Sequence, residues 1–410
     1  MRKSSLFLTV LYLCAPFFCL PMEGHKEYKK CSNEAKKVAS QMAPGWNLGN
    51  TMEATGEGLA AETSWQPTVT TRELIDFVKR SGFRSVRIPC SWNIHADTQG
   101  NIDKQWMARV KEIVDYCVND GLYVVLNDHW DSGWIEVMGF SKTNKEFEVV
   151  DEQTIQLKVA RLQYIWRQIA VAFKGYDEHL LFAGLNEPFQ EHSLFHDKHK
   201  ELTPILQRYN QAFVNAVRST GGKNKKRILV VQAPGTNISS ATNETIDFTM
   251  PVDPVGKGRL MVEVHYYDPW DFCGQQDGGK RFWGQRQHVE GSPYTCEWGE
   301  ENWVASQFAS MKKKFYDHGY PVILGEYGIN WREIGDFQEV HDASVKAWYK
   351  VVTQEAISNG CVPMLWDINR PDHHGEKGTM TVIDRANLKV FSTVALDGIM
   401  EGVHSAKSPR

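Results

Sequence analysis

This 410-residue sequence is most informative at first for what it lacks. It has no CxxC and no Cys/His cluster at ligand spacing, so nothing marks a zinc centre. Walker A, HExxH and GxSxG patterns are absent, which removes the commonest phosphate, metallopeptidase and serine-hydrolase signatures. A GxGxxA pattern occurs at Gly56-Glu57-Gly58-Leu59-Ala60-Ala61, but Pro67 interrupts the following segment before a helix can begin. The strand–turn–helix that a dinucleotide site requires is therefore missing. Cationic charge is in slight deficit, 46 Lys and Arg against 50 Asp and Glu, so no broad basic face is expected and nucleic acid is excluded as a partner. No low-complexity linker and no solenoid-length repeat separates the chain into modules. Long apolar runs are equally scarce. The exception, Leu6 to Leu20 behind Arg2 and Lys3, has the charged start and apolar stretch of a secretory signal, and is short and Pro-broken for a membrane span. Residues 1–22 are read as that signal and 23–410 as one domain, secreted or periplasmic, with no stable membrane association after cleavage.

Of the eight cysteines, Cys14 and Cys19 fall in the signal. Cys90, Cys117 and Cys361 sit in apolar runs and read as buried thiols. Cys273 and Cys296 flank a polar, Gly-rich segment, and a disulfide between them is expected in an exported chain.

What the chain does contain is an alternation of short apolar runs with amphipathic helical ones. Strands are expected at 45–50, 84–89, 122–127, 180–185, 227–232, 260–265, 321–325 and 363–366. Helices are expected at 71–81, 103–120, 153–173, 204–219, 301–316 and 339–359, with a last short one over 388–400. Strands apolar along their whole length fit a parallel sheet covered on both faces. Eight such units predict an α/β fold, a (β/α)8 TIM barrel, with a doubly wound open sheet as the alternative.

In such a barrel the chemistry gathers at the C-terminal strand ends. There the sequence places Asn50, Arg87, His129, Asn186, Glu187, His265, Tyr267, Glu326 and Trp366. Glu187 and Glu326 each follow an apolar strand and precede a turn, on strands 4 and 7. Two carboxyl groups across one barrel mouth are what glycoside hydrolysis needs, one to protonate the leaving oxygen and one to attack carbon or activate water. His373-His374, without further ligands at metal spacing, reads as an exposed pair. No metal and no cofactor is expected.

Leu185-Asn186-Glu187-Pro188 and Leu324-Gly325-Glu326-Tyr327-Gly328 resemble the two active-site signatures of glycoside hydrolase family 5. The blocks Gly45-Trp46-Asn47-Leu48-Gly49-Asn50-Thr51-Met52-Glu53, Glu62-Thr63-Ser64-Trp65 and His265-Tyr266-Tyr267-Asp268-Pro269 resemble its endo-β-1,4-glucanase branch, which includes cellulases and xyloglucanases. The resemblance implies a retaining mechanism, with Glu187 as general acid/base and Glu326 as nucleophile. Glu187 would then hold a raised pKa and Glu326 would stay ionised. Arg87 would favour the Glu326 anion, Tyr267 would donate to it, and Asn186 would bond the sugar 2-hydroxyl. His129 and His265 would line the scissile-bond subsite, Trp366 would face a sugar ring, and Asn50 would join the substrate contacts. Many relatives carry a second His where this chain has Trp130, a difference at the cleft rim that bears on substrate contacts.

The implied partner is a plant cell-wall β-glucan, polymeric or oligomeric, cleaved internally by a monomeric enzyme. A mannanase or xylanase using the same mechanism, and an inactive glycan-binding protein, are the alternatives. Trp92, Trp134, Trp270, Trp283, Trp298 and Trp331 are open as either sugar platforms or core filler.

Overall fold

A computed structural model describes residues 33–189, 195–373 and 375–409. The proposed signal, Cys31 and His374 lie outside the described residues. Asn33–Arg410 form one compact unit.

The eight expected strands are present: β1 Gly45–Asn47, β2 Ser85–Ile88, β3 Tyr123–Asn127, β4 Leu180–Ala183, β5 Leu229–Asn237, β6 Leu260–Tyr266, β7 Val322–Tyr327 and β8 Cys361–Leu365. They close into a barrel in which each strand pairs in parallel with its sequence neighbours and β8 returns to β1. The helices are α1 Glu34–Met42, α2 Arg72–Arg80, α3 Lys104–Asn119, α4 Glu152–Ala172, α5 Phe195–Ser219, α6 Ile238–Thr242, α7 Glu301–Lys314, α8 Gln338–Ser358 and α9 Thr393–Ser405. The open-sheet alternative is thereby set aside.

Successive side chains of each strand point alternately inward and outward. Outward residues such as Val86, Val124, Leu126, Phe182, Val231, Val262, Leu324 and Leu365 join one continuous core with the helices. Inward residues form a second, separate core: Val125, Leu181, Val230, Met261, Ile323, Val362 and Met364 meet Ala35, Val38, Ala39 and Met42 of α1. Thus α1, which the sequence reading missed, plugs the bottom of the barrel. It is capped by Asn33, whose side chain accepts from Lys36 N–H at 2.9 Å and donates to the Gly319 carbonyl at 2.7 Å.

Three elements differ from expectation. Pro204 was read as the start of a helix, but α5 begins at Phe195 and carries Pro204 inside it. The last helix runs Thr393–Ser405, starting where Ser392 caps the Ala395 N–H; residues 383–384 and 389–390 pair as a small hairpin instead. A second hairpin, Met138–Ser141 with Glu146–Val149, decorates the β3–α4 loop. The Gly56–Ala61 segment enters only a short 3₁₀ turn, Gly58–Thr63.

Candidate active site at the C-terminal barrel mouth

Above the apolar plug, the inward positions turn polar. Asn47, Arg87, Asn127, Gln232 and Glu263 are all fully buried at the tops of β1, β2, β3, β5 and β6. A buried charge is tolerated only when paired and hydrogen-bonded, and Arg87 is. Its Nη1 donates to Asn47 Oδ1 and Glu326 Oε1, each at 3.0 Å. Its Nη2 donates to Asn186 Oδ1 at 2.5 Å and pairs with Glu263 Oε1 at 2.9 Å. Burial works against the guanidinium charge, but Glu263 and Glu326 outweigh it, and Arg87 is held above its ordinary value.

Glu263, His265 and Tyr267 are spaced two apart and so share the inward side of β6 and its extension. Glu263 also accepts from Gln232 Nε2 at 2.9 Å. His265 bridges the carboxylates, with Nδ1 at 2.7 Å from Glu187 Oε1 and Nε2 at 3.3 Å from Glu263 Oε1. The Tyr267 hydroxyl donates to Glu326 Oε2 at 3.0 Å. Burial, followed by the charges of Glu326 and Glu187, pushes the Tyr267 hydroxyl well above 10, so it stays a donor. Gly325 makes the arrangement possible: a Cβ there would sit 2.1 Å from Glu263 Oε1.

On the other side, Asn127 Oδ1 accepts from the Cys90 N–H at 3.0 Å, which orients its amide to donate to His129 Nδ1 at 3.1 Å. Burial, with Arg87 and His265 nearby, holds His129 well below its ordinary value. It is neutral, with its proton on Nε2, 4.0 Å from Glu326 Oε1. The His129 ring lies parallel to Trp366, centroids 5.8 Å apart and planes 3° apart. The next residue, Trp130, is exposed.

Eight of the nine sequence candidates therefore converge on one mouth. Asn50 stands apart from this network, because β1 ends at Asn47 and the chain then turns through a left-handed Asn50 whose backbone N–H bonds Glu53. Asn47, Glu263 and Gln232 belong to the network, and the sequence reading missed them. Their signal was available: a polar side chain at inward parity in an otherwise apolar strand.

Glu187 and Glu326 approach closely. A carboxylate oxygen of each and a ring nitrogen of His265 all lie within 4.8 Å of one another. These are also metal-ligand atom types, but Arg87 already places a cation against Glu326. The two carboxyls differ in setting. Glu326 is 6% exposed and gripped by Arg87 and Tyr267, while the Glu187 side chain leaves 40% of its surface open to the cleft.

The proton distribution corrects one expectation. Burial raises Glu187, but the His265 imidazolium beside it and then Arg87 bring it below the ordinary carboxylate value. Burial and the Glu187 charge leave Glu326 raised despite His265 and Arg87. His265, disfavoured by burial but facing Glu326, Glu187 and Glu263, is raised to about 9. In the substrate-free site the mobile proton thus resides on His265, at its contact with Glu187, instead of on Glu187 itself.

The expected Cys273–Cys296 bond is not present: both are buried free thiols. Their loop is held instead by the Trp283 indole donating to the Gly299 carbonyl at 2.9 Å and by the Cys296 N–H to the Phe282 carbonyl at 2.8 Å. Of the tryptophans left open by sequence, Trp92 and Trp283 are buried, Trp134 and Trp331 are half-buried, and Trp270 and Trp298 are exposed.

Residues 50–372 match the family described as Cellulase (glycosyl hydrolase family 5). The chain belongs to this family. Endoglucanase A of Paenibacillus barcinonensis is 34% identical over 378 residues, spanning 90% of each chain. The xyloglucan-specific endo-β-1,4-glucanase of Bacteroides ovatus is 31% identical over 379 residues, covering 90% of this chain and 70% of that one. Among solved structures, a family 5 xyloglucan-specific β-1,4-glucanase from a ruminal metagenomic library, in complex with XXLG, is 55% identical with a TM-score of 0.86, covering 92% of this chain and 97% of that one. The barrel and its polar mouth are thus those of a family 5 glycoside hydrolase of endoglucanase type.

Proposed function

We propose that this chain is a retaining endo-β-1,4-glucanase whose preferred polymer is xyloglucan, with Glu326 as nucleophile and Glu187 as general acid/base. The observation that carries the mechanism is the approach of the two carboxylates to within 4.8 Å. Retaining enzymes hold their carboxyl groups about 5–5.5 Å apart, and inverting ones leave room for a water between them.

The roles follow from the asymmetry of the pair. Glu326 is oriented by Arg87 and Tyr267 and is suited to attack the anomeric carbon. Glu187 opens on the cleft, where a leaving oxygen departs and a water enters. In the first step the carbon bonds to a Glu326 oxygen, its bond to the leaving oxygen breaks, and Glu187 delivers the proton. The His265–Glu187 contact at 2.7 Å supplies that proton, since substrate oxygen competes for it there. In the second step Glu187 takes a proton from water, whose oxygen displaces Glu326. Trp366, Asn186 and His129 would hold the reacting glucosyl unit.

Preference for xyloglucan is supported by the 55% identical xyloglucan-specific structure. Export is supported by the apolar run behind Arg2 and Lys3, and monomeric action by a site drawn wholly from one chain. The test is reducing-end release from xyloglucan, mixed-linkage glucan, carboxymethylcellulose, galactomannan and xylan, with early products read by proton NMR. Xyloglucan should be cleaved fastest, to products that first appear as the β-anomer. Glu326→Gln should lower kcat by about 10⁴-fold or more with the fold retained. First products of α-configuration would overturn the mechanism, and faster cleavage of galactomannan or xylan would overturn the substrate.

A further inference from the structure

The 14 tryptophans divide sharply by burial. Among the described residues the exposed ones are Trp65, Trp130, Trp270, Trp298 and Trp303. All five lie in βα loops or the first turn after one, on the catalytic face of the barrel. Solvent-facing indoles confined to one face mark a binding surface.

Three of them belong to the β6–α7 connection and are individually held in place. Trp270 meets the Tyr267 ring edge-on at 6.1 Å, and the Tyr267 hydroxyl bonds Glu326. Its indole lies over Gly274, where a Cβ would come within 2.2 Å of the ring. The Trp303 N–H donates to Asp268 at 3.1 Å, and Trp298 packs edge-on against Trp303 at 5.8 Å. Yet Trp270 is 56% exposed and Trp298 47%. Rings that are both anchored and solvent-facing are preorganised, so a ligand that stacks on them loses little ordering entropy.

We propose that Trp270, Trp298 and Trp303 form a stacking wall for pyranose rings of the polymer outside the glucosyl unit being cleaved. The inference rests on the β-glucanase reading of the site and extends it to one loop. A pyranose offers a flat face of C–H groups that fits an indole, while its hydroxyls stay in water. The wall starts at Tyr267, one aromatic ring away from Glu326, and is continuous with the catalytic mouth.

The test uses the full chain carrying Glu326→Gln, which leaves sugars intact, and titration calorimetry with cellotriose, cellohexaose and a xylosyl-branched cello-oligosaccharide. Removing one stacked ring is expected to weaken binding of the longer or branched probes about tenfold. Trp270→Ala and Trp298→Ala should therefore shrink the affinity gap between hexaose and triose, and Trp270→Phe, which keeps the packing on Gly274, should restore most of it. Loss confined to the branched probe would assign the wall to xylosyl branches; loss on cellohexaose as well would assign it to the main chain. Affinities for both longer probes unchanged within twofold in both alanine variants would overturn the proposal. The reading beneath it fails separately, if the wild-type chain cleaves no β-glucan and the Glu326→Gln protein binds none of the three probes.

Discussion

The lower and upper halves of the barrel interior are built from the same strands with opposite chemistry. Below, Val125, Leu181, Val230, Met261, Ile323 and Val362 close on α1 in a dry apolar plug. Above, one or two residues further along the same strands, Asn47, Arg87, Asn127, Gln232 and Glu263 are just as buried but joined by hydrogen bonds and charge. The plug is held by area removed from water, which is non-directional and tolerant. The polar layer is held by geometry, because each group is tolerable only while its partners stay in place. Stability resides in the lower half, and the upper half converts some of it into orientation of Glu187 and Glu326.

The comparison can be broken first at Arg87. Arg87→Met should destabilise the fold by about 3–5 kcal/mol, because it strands the buried Glu263 and Glu326 carboxylates. Urea denaturation checks the loss, and lowering the pH to protonate the carboxylates should recover part of it. In the lower half, Met261→Ala should cost about 3 kcal/mol through a cavity. It should leave the KM of the folded fraction unchanged, which steady-state kinetics below the new midpoint would read.

A smaller effect sharpens the contrast through pH. His265 is raised to about 9 in the fold, against about 6.5 in an unfolded chain. The folded state binds the proton more tightly, so the stability from this group is full below about pH 6.5 and is lost as pH rises through about 9. Unfolding free energy should fall by about 1–3 kcal/mol over that window, and His265→Asn should flatten the slope. The smallest effect is expected at Gly325→Ala, where the added methyl would press on the Glu263 carboxylate. A loss of about 1–2 kcal/mol, with a larger fractional fall in kcat than in Tm-matched variants of the plug, would show that orientation is what the upper layer provides.

Much of this was legible in the chain. Uniformly apolar strands in alternation with helices foretold the barrel, and carboxylates directly after β4 and inside the end of β7 foretold the mouth. Glu263 was legible in principle, as a lone acid two residues before His265 in an apolar strand, but a single polar residue carries no information about its partner until the strand's neighbours are known. Helix α1 was missed because its short apolar stripe, Ala35, Val38, Ala39 and Met42, has meaning only against the barrel floor. The Cys273–Cys296 expectation failed because closeness in sequence pattern does not bring two thiols into bonding geometry.

The sequence by itself determined the element order, the inward and outward parity of each strand and the residue types available at the strand ends, because these depend on local periodicity and backbone preference. Only the tertiary structure decided that Arg87 would bind four side chains from four other strands or strand ends, that the proton would rest on His265, and that three tryptophans of one loop would face solvent beside Tyr267. Those outcomes depend on barrel closure, which brings residues 47, 87, 186, 263 and 326 within hydrogen-bond reach of one another through Arg87, and on the burial that makes each unpaired charge unaffordable.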